Sequence, residues 1–322
     1  MTSHNNIYIG KWFLPEEPDR KIFGTLSFSK EDKPVLLVFE KLGDSTSFTF
    51  DNFQQITGHV YNQNDKKDYT IELINVMQIS GNYHSSSKFT YKTNEYLLAK
   101  GFLKPTLLLF KDIYLSADIL NDWIKPFGNI KEEMSDKSEF NFSIEYTQPA
   151  SFKLFVEDNL SIYCYFRGSY TWKMNRSGTA IESRWINLEL KKGGALDEFH
   201  KLVSSLENLL TLLFNNQVKF TSTELKDTQD ITYTHYFAGR KDNFITNKSS
   251  KQGIGFDYFK SNSQIIIGEW IKKEEELRLL VNNFFTAFGN KTMYLENRFV
   301  AYLSLLEQYH KLRFADYNPK GK

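Results

Sequence analysis

The chain has 322 residues, 41% hydrophobic and 25% charged, which is enough apolar mass to bury a core and excludes a disordered tail. Forty Lys+Arg against thirty-nine Asp+Glu exclude a globally basic nucleic-acid binder and leave room only for a local patch. The lone cysteine, Cys164, excludes an internal disulfide framework and any cysteine-based zinc site.

With 28 Phe, 18 Tyr and 5 Trp, the chain favours pleated, half-buried surfaces, so much of it is expected to be strand. Short aromatic and branched runs at 21–29, 34–42, 47–50, 56–62, 68–79, 94–103 and 106–116 predict an all-β region, separated as they are by Gly, Pro, Asn, Asp and Ser. Their number and spacing suggest a sandwich or open barrel. A short helix is predicted over 116–128, stopped by Pro126 and Gly128, and the polar run 131–139 reads as a linker. Four more strands follow in 141–190. From Ala195 the period changes to helical, with Phe199, Leu202, Leu206, Leu209 and Leu213 on one stripe. Strands return in 217–239, and a polar loop spans 240–255. The end is helical: 266–289 carries Trp270, Leu277, Val281, Phe284 and Phe288, and 294–314 carries Leu295, Phe299, Tyr302, Leu306 and Tyr309. The expected class is α+β, organised as a β-rich region 1–127, a second β-rich region 128–260 with one amphipathic helix, and a helical segment 261–322.

The N-terminus lacks the basic and apolar regions of a signal peptide, and the longest apolar run, Leu107 to Phe110, is far below the roughly 20 residues of a membrane span. A soluble, cytoplasmic protein without membrane contact is expected.

Few constellations carry chemistry. Cys164 sits in the alternating strand LSIYCYF with nothing local to activate it, so it reads as a packed core residue. Asp197 and His200 share a helical face at a three-residue spacing, but two further metal ligands are not identifiable, and acidic residues suit a helix N-terminus anyway. His59 and His84 have no neighbouring carboxylate. Gly253 and Gly255 lack the context of a phosphate loop. Aromatics among Lys88, Lys92 and Lys100 form a candidate stacking surface, although core packing explains most rings in a β-rich chain. No catalytic, cofactor or metal residue is therefore assigned.

The opening Gly10-Lys11-Trp12-Phe13-Leu14-Pro15-Glu16-Glu17-Pro18 has an aromatic pair before a double-proline turn, an aromatic plug held by restricted backbone. This opening, with Ile22-Phe23-Gly24, Ile56-Thr57-Gly58, FKDIYLS (110–116) and Trp123, resembles the N-terminal domain of ApeA-type anti-phage defence proteins. Trp270 with Glu274-Glu275-Glu276, and then Leu305-Leu306-Glu307, resemble the start of that family's HEPN domain.

The resemblance implies an abortive-infection effector in which a β-rich part senses a phage-derived trigger or regulates. A dimeric HEPN bundle then cleaves RNA without metal through an Arg followed four to six residues later by His. This chain has no such pair, since Arg184 meets a histidine only at His200, Arg298 only at His310, and Arg313 none. The polar tail FADYNPKGK leads to the expectation of an excised fragment, a natural short form or one half of a split gene, inactive alone as a nuclease. The function expected is thus regulatory, with RNA as a partner only where the rest of the bundle is present. The alternative is a non-catalytic β-sandwich module that binds carbohydrate or peptide, with a helical oligomerisation segment. Apolar residues beyond a single seam in the last two helices predict a homodimer, with Leu305 and Leu312 at the interface.

Overall fold

The computed structural model describes residues 6–28, 33–43, 51–82, 88–103, 108–124, 129–134, 142–173, 177–237, 253–289 and 293–314. The chain divides into two compact units, Met1–His200 with Lys219–Thr246, and Lys201–Val218 with Asn247–Lys322.

The first unit opens with β1 (Asn6–Phe13), β2 (Ile22–Phe28), β3 (Val35–Val38), β4 (Asn52–Asn62), β5 (Lys67–Asn82) and β6 (Lys88–Lys92). These six strands close on themselves in the order β1-β2-β3-β6-β5-β4, all neighbours antiparallel. Closure removes the exposed sheet edges that would otherwise template aggregation. Alternation sends Tyr8 and Trp12 of β1, Leu26 of β2, Leu36 and Val38 of β3, Val60 of β4 and Phe89 and Tyr91 of β6 into one core.

β7 (Glu95–Lys100), β8 (Phe110–Ser116), α1 (Asp118–Trp123), β9 (Asn129–Met134), β10 (Phe142–Thr147), β11 (Phe152–Val156), β12 (Leu160–Lys173) and β13 (Ser177–Gly194) follow. Then come α2 (Leu196–Phe214), β14 (Ser222–Asp227) and β15 (Thr232–Phe237). A sheet continues out of the barrel in the order β5-β7-β15-β14-β8-β13-β12-β11, and β9 with β10 forms a separate hairpin. The junction is a single strand. One edge of β5 pairs β7 over Tyr69–Ile74 and β6 over Met77–Asn82, and Asn75 between the two has φ 51. That left-handed backbone is one asparagine adopts more readily than a branched residue. The turn is therefore where β5 changes partners. Further along, Phe110 of β8 meets Tyr233 of β15 and Phe199 of α2 edge-on, at 5.8 and 6.4 Å between ring centres.

The predicted elements hold with several shifts. The aromatic opening is itself strand β1, and β6 is a strand the reading missed. The expected helix 116–128 is only the six residues of α1, with extended backbone already at Ile124. The expected linker 131–139 begins as strand, since Lys131–Met134 pair with β10. Polar composition does not prevent pairing where a partner strand lies alongside. The predicted strand 47–50 lies outside the described residues.

The second unit holds α2 from Lys201 onward, α3 (Phe256–Gly289) and α4 (Leu295–Arg313). Of the predicted α2 stripe, Leu206, Leu209 and Leu213 are buried in it, joined by Val203 and Leu210. α3 starts at Phe256 rather than 266, and Phe256 and Phe259 are buried. Gly253-Ile254-Gly255 is a cap: the Ile254 N–H donates to the Leu213 carbonyl at 3.1 Å, satisfying an orphan acceptor at the end of α2. Among the described residues no helix is long and apolar enough to cross a membrane.

In α4 the two residues expected at an interface differ in exposure. Leu305 is buried at 7% exposure, whereas Leu312 is exposed. The seam with α3 uses Tyr302, 6.1 Å from Phe284, and Gln308, which accepts from Asn283 at 3.4 Å. Phe299 and Leu306 of the predicted stripe face outward, Leu306 at 64% exposure. Apolar side chains surround α4, so periodicity alone does not select a face; packing against α3 does.

Candidate functional site

The signature residues at the start of the chain build the barrel. Trp12 is fully buried and lies opposite Gly58 in register. A Cβ on Gly58 would fall 2.4 Å from the indole ring, so glycine is required for the ring to lie flat against β4. Gly10 approaches β4 as closely: its Cβ would sit 2.1 Å from the His59 carbonyl oxygen. Pro15 and Pro18 are each the second residue of a turn, closed by Glu17 N–H to Leu14 carbonyl at 2.9 Å and Arg20 N–H to Glu17 carbonyl at 3.1 Å. The Gly-x-Trp and two-proline pattern is thus a device for bringing β1 across the barrel and turning into β2.

Because Tyr8 and Trp12 point inward, Ile9 and Lys11 point outward. There they line a cleft of about 390 Å³ with Gly10, Lys21, Phe23, His59, Tyr61 and Phe102. Its rings are exposed, Phe23 to 60%. Lys11 Nζ lies 5.4 Å over the Phe23 ring, and His59 stacks on Phe102 at 5.1 Å and 18°. His59 Nε2 lies 2.8 Å from the Leu103 carbonyl, to which it donates. Burial, and secondarily the charge of Lys21, lowers the His59 pKa despite that bond. A neutral imidazole, two lysines and open aromatic faces suit a ligand with flat rings and negative charge. Lys88, Lys92 and Lys100 are exposed but do not line this cleft.

A second cluster in the same unit is buried. Glu95 of β7 and His235 of β15 share a sheet face, and His200 enters from the first turn of α2. Glu95 Oε1 lies 2.7 Å from His200 Nε2 and 2.6 Å from His235 Nε2, and the two imidazoles stack at 5.6 Å. Burial opposes ionisation of Glu95, but the two histidines more than offset it and hold the carboxyl at about 2. Among the described residues these three form a group able to hold a metal ion, their ligand atoms within 4.8 Å of one another. From sequence, His200 is matched only with Asp197, and the further ligands are not identifiable. They were out of reach because His235 lies 140 residues from Glu95 and no local spacing marks the set. Asp197, the residue paired with His200 by spacing, is largely exposed and 3.9 Å from His200 Nδ1.

The remaining candidates are structural. Cys164 is buried in β12. Arg167, which the reading passed over, lies over Trp185 at 4.3 Å and pairs with Glu224 at 2.8 Å. Trp270 donates to the Ser205 carbonyl at 3.1 Å and to its hydroxyl at 2.9 Å, and that hydroxyl donates to Glu274. Burial raises the Glu274 pKa. Trp270 and Glu274 therefore fasten α3 to α2. His84 lies outside the described residues.

A barrel built around a Gly-x-Trp strand and extended by a sheet defines a β-rich domain with helices. The family model of the ApeA N-terminal domain 1 matches residues 7–277, and the chain belongs to that family. The match includes Trp270 and Glu274–Glu276, so these residues of α3 fall within the N-terminal-domain family. Membership supports an anti-phage defence protein. No curated protein and no solved structure matches the chain.

Proposed function

We propose that this chain is the sensing and regulatory part of an abortive-infection defence protein of the HEPN ribonuclease type. Family membership over residues 7–277 is the observation that carries the reading. The catalytic Arg–His pair of such a ribonuclease is absent from these 322 residues, so the reading assigns them sensing and regulation rather than cleavage. The open aromatic cleft supplies the surface on which a trigger acts. RNA engages the protein only through the nuclease segment, and the protein works in the cytoplasm. α4, with Leu312 and Leu306 exposed, contributes a homodimer contact; Leu305 supports it from inside the helical unit.

Phage challenge of cells carrying the complete defence gene tests the sensing role. Phe23→Ala with Phe102→Ala should reduce protection by at least tenfold in plaque counts while leaving protein levels unchanged. Unchanged protection removes the cleft from sensing. In parallel, the purified chain should leave total tRNA intact with and without Mg²⁺. Cleavage that survives repurification and vanishes on a point substitution within the chain overturns the division of labour.

A specific observation favours the alternative of a binding module for carbohydrate or peptide: the cleft's exposed rings suit a sugar face equally well. A sugar or peptide array that yields a ligand lost in the double variant, with no effect on phage protection, would select it.

A further inference from the structure

We infer that Glu95, His200 and His235 form a binding site for one divalent transition-metal ion, zinc being the best match. Two imidazole nitrogens and one carboxylate oxygen are a donor set that zinc accepts, with a fourth position left for water. The three residues come from two strands and a helix and converge on one point: both Nε2 atoms address the same oxygen, Glu95 Oε1, at 2.7 and 2.6 Å. Two of the three side chains are almost sealed, Glu95 and His235 each at 5% exposure, while His200 at 31% keeps an edge towards solvent. That edge is the path by which an ion enters and a water completes its shell.

A hydrogen-bonded knot without metal is the rival reading, and His200 argues against it. Its Nε2 is buried and makes no hydrogen bond of acceptable direction, although Glu95 Oε1 is only 2.7 Å away. On the other side of the ring, Nδ1 faces the Asp197 carboxylate at 3.9 Å. A carboxylate on the outer side of the ring is an arrangement common to metal-bound histidines. Both Nε2 atoms and the Glu95 carboxylate are thus ligand atoms gathered at one point, within 4.8 Å of one another. Tetrahedral zinc bonds of about 2.0–2.2 Å would need these ligand atoms to part by roughly 0.7 Å. His200, at 31% exposure the least sealed of the three, is the ligand with the most room for that adjustment.

The test uses the whole untagged chain, stripped with chelator and titrated with zinc chloride by calorimetry. One zinc per chain is expected, with a raised thermal midpoint. Cobalt(II) in its place should give visible absorption bands from imidazole and carboxylate ligation. His200→Ala is the decisive variant, since Glu95 and His235 are more deeply packed; it should weaken zinc binding at least tenfold and abolish the cobalt bands. Asp197→Ala should weaken binding about tenfold through loss of the outer carboxylate. No stoichiometric uptake by the folded chain, or equal uptake by the chain and His200→Ala, overturns the proposal and leaves an imidazole–carboxylate knot.

Discussion

The barrel and the pair of C-terminal helices use similar residues in opposite ways. In the barrel, Trp12, Leu26, Leu36, Val60 and Tyr91 are all sealed by their own strands, because six antiparallel neighbours leave no edge and no open face. In α4 the rings and aliphatics at Phe299, Val300 and Leu306 remain exposed, and Leu305 alone is buried. A closed sheet fixes inside and outside for each residue through its two-residue period. Two helices cover only one face of each other, so a helix apolar all round keeps surface for something else.

Substitutions sharpen this contrast, beginning with the largest effect. Trp12→Ala should destabilise by about 3–5 kcal/mol in chemical denaturation, the usual cost of deleting a buried large aromatic. A midpoint that does not move would mean that the barrel does not depend on its plug.

Glu72 probes the barrel wall from its polar side. It is buried on β5, where it accepts from Thr57 Oγ1 at 2.6 Å and Gln55 Nε2 at 2.8 Å, and burial pushes its carboxyl up to about 7 against those bonds. The folded state therefore holds a proton that the unfolded state has already released. Its contribution to stability is greatest below about 4.5 and falls as pH rises to about 7, levelling beyond it. Glu72→Gln should flatten that slope and stabilise the protein at pH 8 by up to about 3 kcal/mol. An unchanged stability–pH curve would mean that Glu72 is ionised in the fold at little cost.

Gly58→Ala should cost about 1–3 kcal/mol, because the new methyl enters the space of the Trp12 ring. In the double variant Trp12→Ala/Gly58→Ala that cost should disappear. Additive losses would separate the two residues and undo the close-packing account.

Leu306→Glu is the opposite case. Its effect on unfolding should stay within about 0.5 kcal/mol, as for an exposed position. Light scattering at micromolar concentration is where it should register, as a lower mass than that of the parent chain. A parent chain that is already monomeric, with the variant of equal mass, removes the dimer contact from α4.

The β-rich character, the change to helical period near Ala195 and the Gly-x-Trp opening were readable because each rests on neighbours in sequence: alternation, a three-to-four spacing, or a turn residue beside a ring. β9, the partner of the expected strand β10, was hidden by polar composition, since backbone pairing asks only for an adjacent strand. The face that α4 turns to α3 is not legible in its sequence, because its stripes are nearly equivalent. His200 was seen and set aside, since the two residues that give it meaning arrive from β7 and β15.

By itself the sequence determined that this chain is a β-rich protein with helices at its end, that its only cysteine packs in a strand, and that it carries no Arg–His nuclease spacing. Those properties are local, set by side-chain chemistry and by periods of two and 3.6 residues. Tertiary structure alone decided that six strands close rather than stack, that Asn75 lets β5 serve two partners, and that Lys11, Phe23, His59 and Phe102 share one cleft. It alone brought Glu95, His200 and His235 together. Strand pairing over long separations sets these positions, and pairing is chosen by how whole surfaces bury each other, which short-range spacing does not encode.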